Sequence, residues 1–202
     1  GSATQATIYS FDGSPASVTL NSSNGVRITD AVLTQATVTG ADVAATNGVV
    51  HIVDKVLVPP GVLNVVQMAQ ANPDAFSSLV GAVATAGLAT TLSGPGPFTV
   101  FAPTNAAFAG APTGLTPSQL ATVLTYHVLD LVPAVLSSAI PFGTPVTTVA
   151  GQDITINAGT APVIATIIDT TATPATISAV DVRASNGVIH VIDKVLIPSL
   201  GS

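Results

Sequence analysis

Residues 47–59 read NGVVHIVDKVLVP and residues 186–198 read NGVIHVIDKVLIP, two stretches 139 residues apart that differ only by exchanges among Val and Ile. A period of that length is the size of a domain, not of a solenoid step. The same unit therefore ends twice in this chain. Only about 60 residues precede the first ending, so the first copy is expected to lack its front half. The expected organisation is a β-rich back half at 1–60, a complete unit at 61–198 and a short tail at 199–202. A start inside a unit reads as the trimmed edge of a longer tandem.

Composition narrows what such units do. Hydrophobic residues make up 48% of the 202 and aromatic residues 4%, so a sizeable core must be built from Val, Ile, Leu and Ala. Charged residues are 7%, far below the usual quarter. The ten acids are all Asp, the cations number four and the net charge is −6. Four cations cannot line a phosphate backbone or an anionic bilayer, so nucleic acid is not an expected partner. There is no Cys, which removes disulfides, thiolate metal sites and Cys nucleophiles together. No stretch of eighteen apolar residues lacks a charge or Pro, so the chain is not expected to span a membrane. A surface poor in charge fits work outside the cell, where salt screens ion pairs.

Periodicity then assigns elements. Residues 3–46 alternate β-branched runs with turn signals at Asp12-Gly13 and Asn24-Gly25. A long strand over 49–58 is stopped by Pro59-Pro60. From Gly61 the spacing turns helical, with Val62, Val65, Val66 and Ala69 on one stripe. Asn72-Pro73 reads as the N-cap and first residue of a second helix, and Gly87 as the residue that ends it. A short strand follows over 98–101, and Thr104 caps a short helix with Phe108 turned inward. Thr116-Pro117-Ser118-Gln119 is a capping-box signature for a helix to about Thr125. Tyr126 to Leu129 reads as a strand. Further strands are expected at 146–149, 153–157, 163–169, 175–182 and 188–197. Helices first and strands afterwards give an α+β fold.

These motifs carry a resemblance. Phe98 to Phe108, FTVFAPTNAAF, resembles the first signature of fasciclin-like domains, and Asn186 to Pro198 is similar to their second. Tyr126-His127 stands where that family carries a Tyr-His pair. The order and spacing cover 61–198, and residues 3–60 resemble the second half of a preceding domain. The resemblance implies a wedge-shaped β-sandwich flanked by several helices. It also implies an extracellular or cell-surface role in adhesion or matrix attachment, often in tandem arrays, with no enzymatic activity. Tyr126 and His127 are the candidate binding residues on this basis, the pair being described both as a packing element and as an adhesion determinant.

The residues read for themselves give little free chemistry. Isolated and flanked by apolar residues, His127 reads first as a satisfied core histidine. His51 and His190 are repeat equivalents, each with an Asp three residues on; on a strand those positions face opposite ways, so they do not chelate one metal. Asp193 is expected half-buried and hydrogen-bonded to backbone N–H groups or Arg183, with Lys194 in solvent. Thr104 reads as a helix cap, and no Gly-x-Ser-x-Gly elbow, carboxylate pair or Asp-rich calcium loop is present. Thr104, Asn105, Phe108, Asn186, His190 and Asp193 are therefore assigned structural roles. Catalytic residues, metals and cofactors are not expected.

The function expected is non-covalent attachment to a cell-surface protein or a polysaccharide. The alternative is a carrier of a small apolar ligand such as a carotenoid or lipid, with Met68, Phe76, Phe101, Phe108 and Phe142 lining a groove. A half unit cannot bury its sheet alone. Self-association through the partial first unit is the consequence expected if nothing else covers it.

Overall fold

Β-branched runs broken by turn residues fold into the first of two units in the computed structural model, which describes residues 1–200. That unit is Gly1–Val62, and the second begins at Leu63. In the first, β1 (Ser2–Phe11), β2 (Ser14–Asn21), β3 (Arg27–Thr29), β4 (Gln35–Ala45) and β5 (Gly48–Val53) form one sheet in sequence order. Asp12 and Gly13 both take positive φ, 53° and 75°, as a two-residue primed hairpin turn requires. The buried residues of this unit are Asp30, Val32 and Ala36. Its last strand is shorter than the sequence implies. β5 stops at Val53 because the Asp54 carboxylate accepts the Thr37 N–H at 2.7 Å and turns the chain. Val58 is then drawn back to the Asp30 carboxylate, 3.1 Å.

The second unit opens with helices. These are α1 (Val65–Gln70), α2 (Pro73–Thr85), α3 (Ala89–Ser93), α4 (Asn105–Phe108) and α5 (Pro117–Thr125), with β6 (Phe98–Pro103) between α3 and α4. β7 (Val128–Leu129), a 3-10 turn at Ser137–Ala139, β8 (Pro145–Thr147), β9 (Asp153–Ala158), β10 (Ala165–Ile168), β11 (Ala175–Ala184) and β12 (Gly187–Ile192) complete it. The Thr116–Gln119 capping box forms as its spacing implies. Asn72 and Pro73 start α2, and Gly87 follows its C-cap with φ 68°. Two features lie outside the sequence reading: a second capping box, Asn64–Gln67, and helix α3. Tyr126 and His127 belong to the end of α5 and a turn, not to a strand.

The seven strands run in the order β7-β6-β12-β11-β10-β9-β8. All pairs are antiparallel except β12–β6, which is parallel with Gly187 opposite Phe98. Laid flat, such a sheet would separate its outer strands by about 29 Å at ~4.8 Å per step. Instead Val149, just past β8, donates its N–H to the Val128 carbonyl of β7 at 2.8 Å. The sheet curls until its two edges meet, and β-bulges in β11 supply the bend. The enclosed core draws Phe101, Leu129, Ile154, Ile167, Ile177 and Ile192 from both ends of the sheet. The fold is α+β, a curled β-sandwich with helices gathered in the front half of the unit. β12 likewise ends at Ile192, five residues before the end expected, for the reason seen in β5. The expected tail begins with an anchored residue: Gln152 accepts the Ser199 N–H at 2.8 Å and donates to its carbonyl at 3.0 Å. Residues 201–202 of that tail lie outside the described residues.

The small core of the first unit sets a stability contrast. Residues 61–198 alone are expected to melt in one sigmoidal transition, and a 1–60 peptide to lose signal without one. Circular dichroism melts of the two fragments check this; a cooperative melt of 1–60 contradicts it.

Candidate functional site

Burial forces the polar groups of the second unit to find partners inside it. Tyr126 and His127, at the end of α5, are 0% and 2% exposed. The Tyr126 hydroxyl donates to the Asp153 carbonyl at 2.8 Å. His127 Nδ1 lies 2.7 Å from the Val123 carbonyl, so it carries the proton, and Nε2 accepts the Leu196 N–H at 2.8 Å. Burial pushes the imidazole down to about 4, against the Val123 hydrogen bond and the Asp169 charge. Burial, with Asp169 and Asp153 nearby, pushes the Tyr126 phenol up to about 12. His190 has the opposite tautomer. Its Nε2 donates to the Val135 carbonyl at 2.9 Å, its Nδ1 faces the Asp181 N–H at 3.5 Å, and its ring stacks on Phe101 with centroids 5.7 Å apart. Burial lowers its pKa as well.

The carboxylate hub of this unit is Asp169. It accepts from Lys194 at 2.7 Å, the Thr171 hydroxyl at 2.6 Å, the Thr171 N–H at 2.9 Å and the Ile197 N–H at 2.8 Å. Burial alone would raise its pKa; the Lys194, Thr171 and Ile197 donors outweigh that and hold it below the usual carboxylate range. This reverses the burial expected for Asp193 and Lys194, although Asp193 does accept a backbone N–H as expected. Asp193 is exposed and accepts the Thr176 N–H at 2.6 Å, while Lys194 turns in to the hub. The strand ends at Ile192, so face alternation does not extend to these two residues.

The remaining sequence-assigned residues tie elements together. Thr104 caps α4 by accepting the Ala107 N–H at 3.3 Å. Asn105 accepts the Ser78 N–H at 2.8 Å and donates to the Pro73 and Asp74 carbonyls, which locks α4 to the start of α2. Asn186, between β11 and β12, accepts the Val65 N–H at 2.9 Å and donates to the Leu92 and Gly94 carbonyls. It thereby fixes the start of α1 and the end of α3. Phe108 lines an apolar cavity of about 140 Å³ beside His127, and Phe101 lines another of about 40 Å³ that His127 also borders. Met68 and Phe76 are core residues, whereas Phe142 is exposed.

These anchors present one surface feature that the sequence reading missed. Asp130–Pro133 is an exposed loop carrying Leu131 and Val132 in solvent. It leaves the core at buried Leu129 and re-enters at buried Val135. Val135 is held by the Thr99 hydroxyl at 2.8 Å and by His190, and Ser137 is held through its N–H by Asp181 at 2.7 Å. The available signal was the apolar Leu-Val-Pro run after Asp130, placed outside every periodic segment. Among the described residues no group of three His, Asp, Glu or Cys converges as a metal site would.

A family model described as the fasciclin domain matches residues 2–59 and 74–198. Protein sll1483 of Synechocystis sp. is 40% identical over 146 residues, 68% of this chain and 75% of that protein. A second Synechocystis protein, sll1735, is 38% identical over 142 residues, 66% of this chain and 97% of that one. Transforming growth factor-beta-induced protein ig-h3 of Sus scrofa is 39% identical over 164 residues, 78% of this chain but 22% of that protein. Among solved structures, a FAS1 domain pair from the insect cell adhesion molecule fasciclin I matches with a TM-score of 0.63 at 22% identity. It covers 92% of this chain and 68% of that one.

The depressed His127 pKa makes stability fall in acid. Above pH ~6.5 the ring is neutral folded or unfolded, and its full contribution is present. As pH drops from ~6.5 to the folded value of about 4, the unfolded chain takes up a proton that the core refuses. The loss is about 3 kcal/mol. His190 acts in the same direction. Urea unfolding at pH 7.5, 5.5 and 4.5 should trace this fall, and His127→Gln should flatten it while costing about 2 kcal/mol at pH 7.5. Asp169→Asn, which leaves Lys194 without its counter-charge, should cost about 3 kcal/mol in the same assay.

Proposed function

The chain belongs to the fasciclin domain family, and from that premise we propose that it is an extracellular or cell-surface attachment module binding a cell-surface protein or a polysaccharide without catalysis. The observation that carries this reading is the division between a committed interior and an apolar exposed loop. Tyr126, His127, His190, Asp169 and Lys194 spend their polar atoms on internal bonds, so none is free as a base or nucleophile. Leu131 and Val132, in contrast, project into solvent from a base clamped at Val135 and Ser137. A rigidly based apolar loop loses little entropy on docking. Tyr126 and His127 are buried and serve attachment only indirectly, by tying the end of α5 to Asp153 and Leu196. No helix among the described residues is long and apolar enough to cross a membrane.

The carrier reading draws less support. The two apolar cavities beside His127 measure about 40 and 140 Å³. Pockets for drug-sized ligands run to several hundred Å³, and a carotenoid or lipid needs at least that.

The test is retention of beads coated with the chain on cells and on a polysaccharide panel. Selective retention above albumin-coated beads is expected. Leu131→Ser with Val132→Ser should reduce retention at least ten-fold with Tm unchanged, whereas His127→Gln should lower Tm first. Retention equal to albumin removes the attachment reading.

A further inference from the structure

We propose that the second unit holds a binding site for one small, uncharged apolar ring molecule, of the size of benzene or toluene, in the cavity between α4, α5 and Val195. The cavity measures about 140 Å³. Cavities of about 150 Å³ lined by Leu, Ile and Phe admit a benzene ring or a xenon atom. Such a guest is far smaller than a carotenoid or lipid. Neither Leu131 nor Val132 lines the cavity, so the site is independent of the attachment loop.

The lining selects the guest by its chemistry. Pro103, Val123, Leu124 and Val195 form a buried floor, with His127 among them. Among the described residues of the lining, only His127 carries polar side-chain atoms, and both are taken. Its Nδ1 donates to the Val123 carbonyl and its Nε2 accepts the Leu196 N–H. A buried water makes roughly two to four hydrogen bonds, and these side chains offer it none. No charged side chain lines the cavity among the described residues, so a charged guest would lose its hydration without compensation. A hydroxyl on the ring would meet the same cost on a smaller scale. What the lining does offer is dispersion contact, from packed Pro, Leu, Val and Phe groups.

The site is preformed because separately anchored elements build it. Asn105 locks α4 to the start of α2. The Thr116–Gln119 capping box fixes the start of α5. The bond from the Leu196 N–H to His127 holds the segment that carries Val195. These ties resist the collapse that would otherwise fill such a space. The outer wall is built differently. Ala111, Pro112 and Leu115 belong to the connection between α4 and α5, which is neither helix nor strand from Ala111 to Leu115 and exposes Pro112, Thr113 and Gly114. Phe108 and Leu120, each half-buried, flank it from α4 and α5. A guest enters past this wall, whose displacement breaks no helix and no strand pairing.

The test adds benzene, toluene or phenol to the full-length protein and follows side-chain methyl resonances by NMR, with Tm read in parallel. Saturable binding of benzene and toluene is expected, with a Kd of about 1 mM or tighter and a dose-dependent rise in Tm. The largest methyl shifts should fall on Leu115, Leu120, Val123 and Val195. Phenol should bind at least ten-fold more weakly than toluene. Leu120→Phe and Ala111→Leu each fill the space and should weaken benzene binding at least ten-fold. The absence of a saturable shift, shifts centred elsewhere, phenol binding as tight as that of toluene, or binding that both filling variants leave untouched each overturns the proposal. The shift map uses the unaltered protein, so it decides the matter even where a variant fails to fold.

Discussion

The parallel pairing of β12 with β6 is the contact on which the second unit depends. It joins strands about ninety residues apart and brings the helical front half onto the β-rich back half. Once made, it buries β12 on both faces, places Phe101 against His190, and gives Asn186 its carbonyl partners at α3. Removing it would expose the same apolar strand that the first unit exposes in β5. Two segments of nearly one sequence are thus core in one setting and surface in the other. Burial belongs to what lies alongside a strand, and the strand's own residues do not decide it.

The two copies also separate local from non-local polar bonding. The hubs at Asp30 and Asp169 form in both, because every donor comes from the back half itself. The Asp54 and Asp193 bonds to Thr37 and Thr176 recur for the same reason. The Asn186 bonds and the His190 bond to Val135 do not recur at Asn47 and His51, since those partners lie in the front half. Local bonds shape the back half by themselves, and non-local ones form only where helices and β6 pack against it.

This division bears on function. A site that did chemistry would keep a base, a nucleophile or a metal cradle poised and accessible. The second unit instead commits its two histidines to opposite tautomers, each fixed by a backbone carbonyl. Their depressed pKa values follow from burial and keep both rings neutral at physiological pH. At the surface, Leu131 and Val132 stand in solvent on a loop anchored at Val135 and Ser137.

Much of the organisation was legible in the sequence. The repeat period set two endings of one unit, segregated periodicities gave α+β, and the Thr116–Gln119 and Asn72-Pro73 signals placed two helix starts. These are local properties, written in spacing and in backbone preferences. Strand ends were misjudged because carboxylates at Asp54 and Asp193 break apolar runs by capturing backbone N–H groups, a competition that periodicity does not register. Lys194 was placed in solvent because its partner, Asp169, is 25 residues away in sequence. Helix α3 and the anchored loop at Leu131–Val132 carried no periodic signal at all. By itself the sequence determined most of the helices and strands, and that residues 47–59 and 186–198 repeat one motif. Only tertiary structure decided which of two nearly identical strands is buried and where each buried charge finds its partner, because burial and pairing are set by residues distant along the chain.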